Sequence, residues 1–292
     1  MSVVALASVK ASPGVTTTLL ALAATWPTNR QLLLIEADPD GGDLAARTGL
    51  TTDPGLTSLA AAGRRELVDG ELDRHSQPLP GGVPAIVAPA DGDHAARALD
   101  VVGGRLAGAA AGLTGRDVLV DCGRLRPNSP AASLAVQADL LVLVARPQLD
   151  ELQHLRPALA RLTDARMRPA LLLIGDRPYP AAEVARVLDV PVLTPLPHDV
   201  DTAHRLNGQG GRIDRLARSL LLRTARGVAE MLAATLTSQI GNGRELFVSD
   251  GTPPPAPTSP AREGSVSGNG HGERSGWMTA LTRGPFTTRE GD

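Results

Sequence analysis

Short, continuously apolar segments alternate with longer amphipathic segments along the first 200 residues. The apolar segments predict strands at residues 3–8, 31–36, 83–88, 117–121, 139–145, 170–174 and 190–193. Strands that are apolar at every position are typical of a parallel sheet covered on both faces. The amphipathic segments predict helices near residues 15–25, 42–48, 55–63, 92–112, 129–137, 148–164, 180–188 and 211–238. This alternation predicts an α/β fold: a doubly wound, mostly parallel sheet of about seven strands with helices on both faces.

The composition changes at residue 241. From there to residue 292 the chain is rich in Pro, Gly and Ser and has almost no apolar periodicity. Such a segment cannot bury enough apolar surface to offset the entropy lost on ordering. We therefore predict one folded domain over residues 1–240 and a disordered tail over residues 241–292.

Charge and cysteine content limit the function classes. The net charge is −2, so the chain as a whole has no basic field that would draw it to nucleic acid. Cys122 is the single cysteine, which excludes an intrachain disulfide and suits a reducing compartment. The start of the chain lacks the pattern of a signal peptide, and no apolar run reaches the roughly 20 residues of a membrane span. We expect a cytoplasmic protein.

The segment KASPGVTT, between the first predicted strand and the first predicted helix, has the composition of a phosphate-binding loop. Small residues at Ala11, Ser12 and Gly14 would let backbone N–H groups approach an anion at a helix N-terminus. Thr16 and Thr17 stand at the helix start, where a hydroxyl can ligate a phosphate-bound Mg²⁺. An ordinary strand–turn–helix with a threonine cap has similar residues, so this segment alone leaves both interpretations open.

Carboxylates follow two further predicted strands. Asp38 comes after the second predicted strand, and Asp121 ends the fourth. Ligands of parallel sheets bind beyond the carboxyl ends of the strands. Asp121 is therefore placed to hold Mg²⁺ through water, Asp38 to orient an attacking water, and Gly123 to meet a terminal phosphate with its N–H. The alternative is a solvated acidic turn followed by a helix cap.

Together these segments resemble the deviant Walker A P-loop ATPases of the ParA/MinD family, including its CpaE/TadZ branch. The family's loop reads Lys-Gly-Gly-x-Gly-Lys-Thr-Thr, and residues 10–17 align with it. The resemblance implies that Lys10 is the signature lysine, which crosses a dimer interface to the partner's nucleotide. It also implies that Thr16 ligates Mg²⁺, that Asp38 positions water, and that Asp121 opens the second switch and helps to hold the metal.

The resemblance covers residues 1–210 and implies a site for ATP and Mg²⁺. A Pro-x-Asp turn at Pro197 and Asp199 matches the segment that the family places near the adenine. The implied catalytic residues are Lys10 and Asp38, and the implied metal ligands are Thr16 and Asp121. The residues implied to contact the nucleotide are Lys10, Ala11, Ser12, Gly14, Val15, Thr16, Thr17, Gly123, Pro197 and Asp199.

The loop departs from the family at its second lysine. Val15 stands where that lysine normally contacts the β- and γ-phosphates, and Lys10 is the one lysine among 29 basic residues. Losing a charged hydrogen bond of about 1.5–3 kcal/mol predicts roughly ten- to hundredfold weaker binding, and a larger effect on catalysis. Either Lys10, from the same chain or a partner subunit, is the phosphate cation, or the site binds nucleotide weakly or not at all.

Two functions follow from the resemblance. The first is an ATP-gated, homodimeric bacterial switch that positions cargo, in chromosome or plasmid partitioning, cell division or polar and pilus localisation. The second is a non-hydrolysing scaffold or localisation factor on the same fold, and the sequence leaves hydrolysis open. Six arginines against one aspartate between Arg205 and Arg226 are also compatible with non-specific DNA binding. A solvated helix face is the interpretation that we favour for them.

Overall fold

The computed structural model describes residues 2–10, 14–63, 67, 70–165, 167, 169–208 and 217–241, with side chains up to residue 236. Its sheet contains the strands β1 (Val3–Ser8), β2 (Gln31–Glu36), β3 (Gln77–Pro78), β4 (Pro84–Ile86), β5 (Arg116–Arg124), β6 (Leu140–Ala145) and β7 (Ala170–Leu173). The order across the sheet is β3-β4-β2-β5-β1-β6-β7. All neighbours are parallel except β3 and β4. The predicted mostly parallel α/β sheet is confirmed.

Helices cover both faces of this sheet. They are α1 (Val15–Ala23), α2 (Leu44–Thr48), α3 (Leu56–Ala62), α4 (Glu71–Arg74), α5 (Gly92–Gly112), α6 (Ala132–Gln137), α7 (Leu149–Asp164), α8 (Ala181–Leu188), α9 (Val200–Leu206) and α10 (Leu220–Gly241). Buried residues of α3 to α8 belong to one apolar core, whereas those of α1, α2, α9 and α10 belong to the other. The helix after the candidate phosphate loop, α1, and the helix after the candidate acidic loop, α2, therefore lie on the same face of the sheet.

The central strand β1 shows why the strand segments are apolar at every position. Val3, Ala5 and Ala7 belong to the core beneath α5. Val4 and Leu6, which point to the opposite face, belong to the core beneath α1 and α10. Successive side chains of a strand point to opposite faces, so a strand covered on both sides needs apolar residues throughout.

The structure differs from the predicted elements at several short segments. Residues 190–193, predicted as a strand, make only an isolated bridge between Val192 and Leu171, and a second bridge joins Leu196 to Ile174. The seventh strand is instead β3, which has two residues and was not predicted. The helices α4 and α9, of four and seven residues, were also not predicted.

Several predictions concern residues at the end of the chain. The described part of the last predicted helix is α10, which ends at Gly241. Residues 209–216 and 242–292 lie outside the described residues, so the early start of that helix and the disordered tail remain predictions. None of the described helices combines the length and hydropathy needed to cross a membrane.

Candidate functional site

The start of α1 presents backbone N–H groups at the carboxyl end of β1. Gly14 precedes the helix with φ of 101°, a left-handed conformation that favours glycine. The Thr18 N–H donates to the Gly14 carbonyl oxygen at 2.9 Å, as the first helical hydrogen bond. The preceding N–H groups of Val15, Thr16 and Thr17 therefore have no acceptor within the helix, the arrangement that binds anions. The predicted contacts Ala11 and Ser12 lie outside the described residues.

A cleft of about 530 Å³ opens above this helix start. Among the predicted residues, the cleft is lined by Gly14, Val15, Thr16, Thr17, Asp38, Gly123, Pro197 and Asp199. They come from four separate parts of the chain, and they meet because the carboxyl ends of parallel strands lie at one edge of the sheet. Lys10 is not among the residues that line the cleft.

Asp121 lies fully buried on β5 beside Thr16, and it is not among the residues that line the cleft. Its Oδ1 accepts the N–H of Gly123 at 2.9 Å, whereas its Oδ2 has no hydrogen-bond partner within the described part of the chain. Burial raises the pKa of Asp121, and the nearby Thr16 hydroxyl and the Gly123 N–H act against that rise. A buried carboxylate oxygen without a partner is costly unless a cation or a proton satisfies it.

This donor set fits Mg²⁺ bound together with a phosphate ligand. Asp121 and Thr16 supply a carboxylate and a hydroxyl oxygen, which are hard ligands, and Mg²⁺ takes its other ligands from waters and phosphate groups. Within the described residues there is no group of three or more His, Cys, Asp or Glu side chains that would hold a metal ion by itself. A metal at this place would therefore depend on the nucleotide for part of its coordination.

Asp38 is seated against the backbone of Gly123. A Cβ atom on Gly123, whose φ is 56°, would lie 2.0 Å from the Asp38 Cγ, so only glycine permits this approach. Asp38 Oδ1 accepts the N–H of Asp40 at 2.8 Å. Burial, helped by the charge of Asp121, raises the pKa of Asp38 to about 6. The Gly123 N–H, which we expected to meet a terminal phosphate, is engaged by Asp121 instead.

Glu36 fixes the loop that carries Asp38. Its buried carboxylate accepts the N–H groups of Asp43 and Leu44 on Oε1, at 2.7 and 2.8 Å, and that of Ala88 on Oε2, at 2.9 Å. These bonds join the end of β2 to the start of α2 and to the segment after β4. Burial raises the pKa of Glu36 to about 7, against the lowering effect of the three N–H donors.

Lys10 lies at the surface and forms an ion pair with Asp150, in the first turn of α7. The Lys10 ammonium group lowers the pKa of the Asp150 carboxyl group. Both side chains are exposed, at 39% and 58%. Within this chain, therefore, Lys10 does not turn inward to the candidate phosphate site, contrary to one of the two roles that the sequence left open for it.

Val15 cannot substitute for the missing loop lysine. Its side chain is buried in the core between α1 and the sheet, with 6% of the residue exposed. Three arginines that the sequence analysis missed line the cleft instead, namely Arg47, Arg124 and Arg146. The two histidines on the far side, His198 and His204, were also missed as cleft residues. Of these residues, only Arg47 had a signal in the sequence. It follows Asp43 by four residues on a predicted helix, a spacing that favours an ion pair.

The predicted adenine turn lies on the β7 side of the cleft. Asp199 caps α9, with its Oδ1 accepting the Thr202 N–H at 3.0 Å and its Oδ2 accepting the Thr202 hydroxyl at 2.7 Å. The hydrogen bonds from Thr202 lower the pKa of Asp199. The Gly175 N–H donates to the Leu196 carbonyl at 2.7 Å and ties this turn to the end of β7.

Solved structures with this fold include several ATPases. A ParA family ATPase from Chlorobium tepidum TLS gives a TM-score of 0.65 at 18% identity, covering 79% of this chain and 98% of that one. The cell division ATPase MinD of Pyrococcus furiosus gives 0.66 at 18% identity, covering 80% and 99%. The septum site-determining protein MinD of Pyrococcus horikoshii OT3, complexed with Mg-ADP, gives 0.65 at 19% identity, covering 83% and 99%.

The comparisons in sequence find no such relatives. No protein-family model matches the chain, and no curated protein matches it significantly. At 18–19% identity the structural likeness shows the fold alone. The chain therefore has the fold of the ParA and MinD ATPases.

Proposed function

We propose that the chain is a cytoplasmic, ParA/MinD-like ATP-binding protein that positions cargo by means of an ATP-gated homodimer. The observation that carries the proposal is the fully buried carboxylate of Asp121, which lies beside the Thr16 hydroxyl and whose Oδ2 has no hydrogen-bond partner among the described residues. A helix start with unpaired N–H groups suits a phosphate, and the buried carboxylate suits the cation that accompanies it. The Mg-ADP complex of the Pyrococcus horikoshii neighbour supports the same assignment.

In this proposal each group of residues at the site contacts a different part of the bound nucleotide. Thr16 and Asp121 hold Mg²⁺, which when bound neutralises charge on the nucleotide phosphates. The N–H groups of residues 15–17 bind phosphate oxygens, and the turn at Pro197 and Asp199 borders the base. Asp38 is held beside Gly123 and orients water near the terminal phosphate.

Lys10 acts between subunits in this proposal. Its ion pair with Asp150 is exposed and contributes little to stability, so a partner's nucleotide can displace Asp150 at low cost. The lysine then contacts the partner's phosphates and makes dimerisation depend on ATP.

A specific observation favours a second candidate, the non-hydrolysing scaffold. The Val15 side chain is buried in the core, so the described part of the loop places no cationic side chain at the phosphates. Transition-state charge on a transferred phosphoryl group needs such a cation. Non-specific DNA binding through the arginines between Arg205 and Arg226 stays a prediction, since Arg212 and Arg215 lie outside the described residues.

Molecular mass measured by light scattering tests the proposal. The full-length protein is examined without nucleotide, with Mg-ADP and with Mg-ATP, and phosphate release is followed in the same samples. We expect a monomer that becomes a dimer with Mg-ATP only. Lys10→Ala should bind ATP and remain monomeric, and Thr16→Ala should lose the Mg²⁺-dependent part of the response.

The outcomes separate the two candidates. Phosphate release by the ATP-dependent dimer supports a working ATPase. An ATP-dependent dimer without phosphate release supports the scaffold. A mass that is the same with and without saturating Mg-ATP contradicts the ATP-gated switch.

A further inference from the structure

Arg47 brings a positive charge to the first turn of α1. It lies on α2, the short helix after the acidic loop, yet its guanidinium Nη1 donates to the Thr17 hydroxyl at 3.4 Å. Thr17 belongs to the first turn of α1, whose N–H groups have no helical acceptor. An anion bound to those N–H groups therefore lies beside the Arg47 side chain.

The guanidinium group is held in place by two further contacts. Nη1 donates to Asn207 Oδ1 at 2.7 Å, and Nη2 donates to Asp43 Oδ2 at 2.5 Å. Asn207 Oδ1 also accepts the Thr17 hydroxyl at 3.2 Å. Within the described part of the chain these bonds use three of the five guanidinium N–H donors, so two remain for an anion. The side chain of Arg47 is 22% exposed, so its charge is screened less than that of a surface arginine.

The backbone supports the same arrangement. Gly208, with φ of 79°, packs so closely on α2 that a Cβ atom there would lie 2.2 Å from the Arg47 carbonyl oxygen. The ends of α2 and α9 thus meet at Arg47, next to the start of α1. A side chain anchored by its neighbours in this way loses little conformational freedom when it binds a ligand.

The two other arginines of the cleft lie at the carboxyl ends of β5 and β6. Arg124 Nε donates to the Val9 carbonyl at 3.3 Å, ahead of the phosphate loop. Arg146 follows β6, and its backbone N–H donates to Glu151 Oε2 at 2.7 Å, at the start of α7. Arg124 therefore donates to the residue ahead of the loop, whereas Arg47 donates to the first turn of α1.

We propose that Arg47 binds the nucleotide phosphates at the first turn of α1 and replaces the cation that Val15 cannot supply. The inference rests on the proposed function, because it concerns the same nucleotide. A guanidinium group offers two parallel donors to phosphate oxygens, whereas the lost lysine offered a point charge. The phosphate cation would thus have moved from the loop to a neighbouring helix.

Titration calorimetry of full-length variants with Mg-ATP tests this proposal. We expect Arg47→Ala to bind Mg-ATP ten- to hundredfold more weakly than the wild type, the loss for one charged hydrogen-bonding group. Arg47→Lys keeps the charge and should recover most of that loss. Arg97→Ala removes the same charge from the exposed face of α5, on the other side of the sheet, and should bind as the wild type does.

Comparing the variants with the wild type distinguishes a failure of the proposed function from a failure of the role assigned to Arg47. If the wild type does not bind Mg-ATP, the proposed function fails and the role of Arg47 fails with it. If the wild type binds and Arg47→Ala binds equally well, only the role of Arg47 is overturned. If Arg47→Lys loses as much affinity for Mg-ATP as Arg47→Ala does, the effect comes from packing rather than charge. If Arg124→Ala alone loses affinity, the phosphate cation is Arg124. Either result overturns the proposal.

Discussion

The buried carboxylate of Glu36 predicts a stability that falls as the pH rises. Burial raises its pKa from the ordinary 4.5 to about 7. Between these values the folded protein binds more protons than the unfolded chain, so the free energy of unfolding decreases with increasing pH. One pH unit corresponds to about 1.4 kcal/mol, and the displacement from 4.5 to about 7 therefore amounts to about 3 kcal/mol.

The variant Glu36→Gln isolates this contribution because the amide has the shape of the carboxylate and does not ionise. Urea unfolding is measured for both proteins from pH 4.5 to pH 8, with the fluorescence of the buried Trp26 as the probe. Relative to the wild type, the variant should gain about 3 kcal/mol of unfolding free energy across this range. Other titrating groups are common to both proteins and largely cancel in the difference.

Glu230→Gln is the matched control, since it removes an exposed carboxylate from α10. Its difference from the wild type should stay level across the same pH range. A level difference for Glu36→Gln as well would refute the reasoning, because it would mean that Glu36 ionises as readily in the folded protein as in the unfolded chain. A difference that changes in the opposite direction would mean that the three N–H donors outweigh burial.

Three further substitutions test the geometry of the site and its surroundings. Gly123→Ala places an alanine with a left-handed backbone against Asp38 and should displace the Asp38 carboxylate. We expect a loss of about 1–3 kcal/mol in the free energy of unfolding. An unchanged melting curve would contradict the close approach of Gly123 and Asp38. Asp150→Ala removes the exposed partner of Lys10, so denaturant unfolding should stay close to that of the wild type. The Mg-ATP dimer, measured by light scattering, should form at lower protein concentration. Asp117→Ala removes the carboxylate that accepts hydrogen bonds from the buried indole N–H of Trp26 and the partly buried guanidinium group of Arg30. It should cost about 3–5 kcal/mol in denaturant unfolding. A loss below about 1 kcal/mol would show that the ion pair between Arg30 and Asp117 adds little to stability.

The sheet was predictable because burial on both faces leaves a direct trace in the sequence. A strand such as β6 is apolar at all six positions, and each side chain enters one of the two cores. The segment 190–193 has the same apolar character but forms only a bridge. Pro191 and Pro195 have no N–H to donate, which limits the ladder that this segment can make with β7.

Part of the site was predictable for a similar reason. Thr16 and Asp38 follow parallel strands and Gly123 lies near the carboxyl end of another, and topology alone brings these ends together. The contacts of Arg47 were not predictable, since 160 residues separate it from Asn207 and the helix that Asn207 follows has only seven residues. The pairing of Lys10 with Asp150, 140 residues away, likewise depends on where α7 begins.

The Mg²⁺ dependence of ATP binding by the wild-type protein tests the central claim most directly. Calorimetric titration with ATP is performed with Mg²⁺ and with the metal chelated. We expect Mg²⁺ to strengthen ATP binding at least about tenfold. In the proposed site the oxygen atoms of Asp121 and Thr16 are ligands of the metal, so these two residues contribute to nucleotide binding through Mg²⁺. Absence of binding at millimolar ATP, with or without Mg²⁺, would contradict the account and leave the chain with the fold of these ATPases but without their ligand.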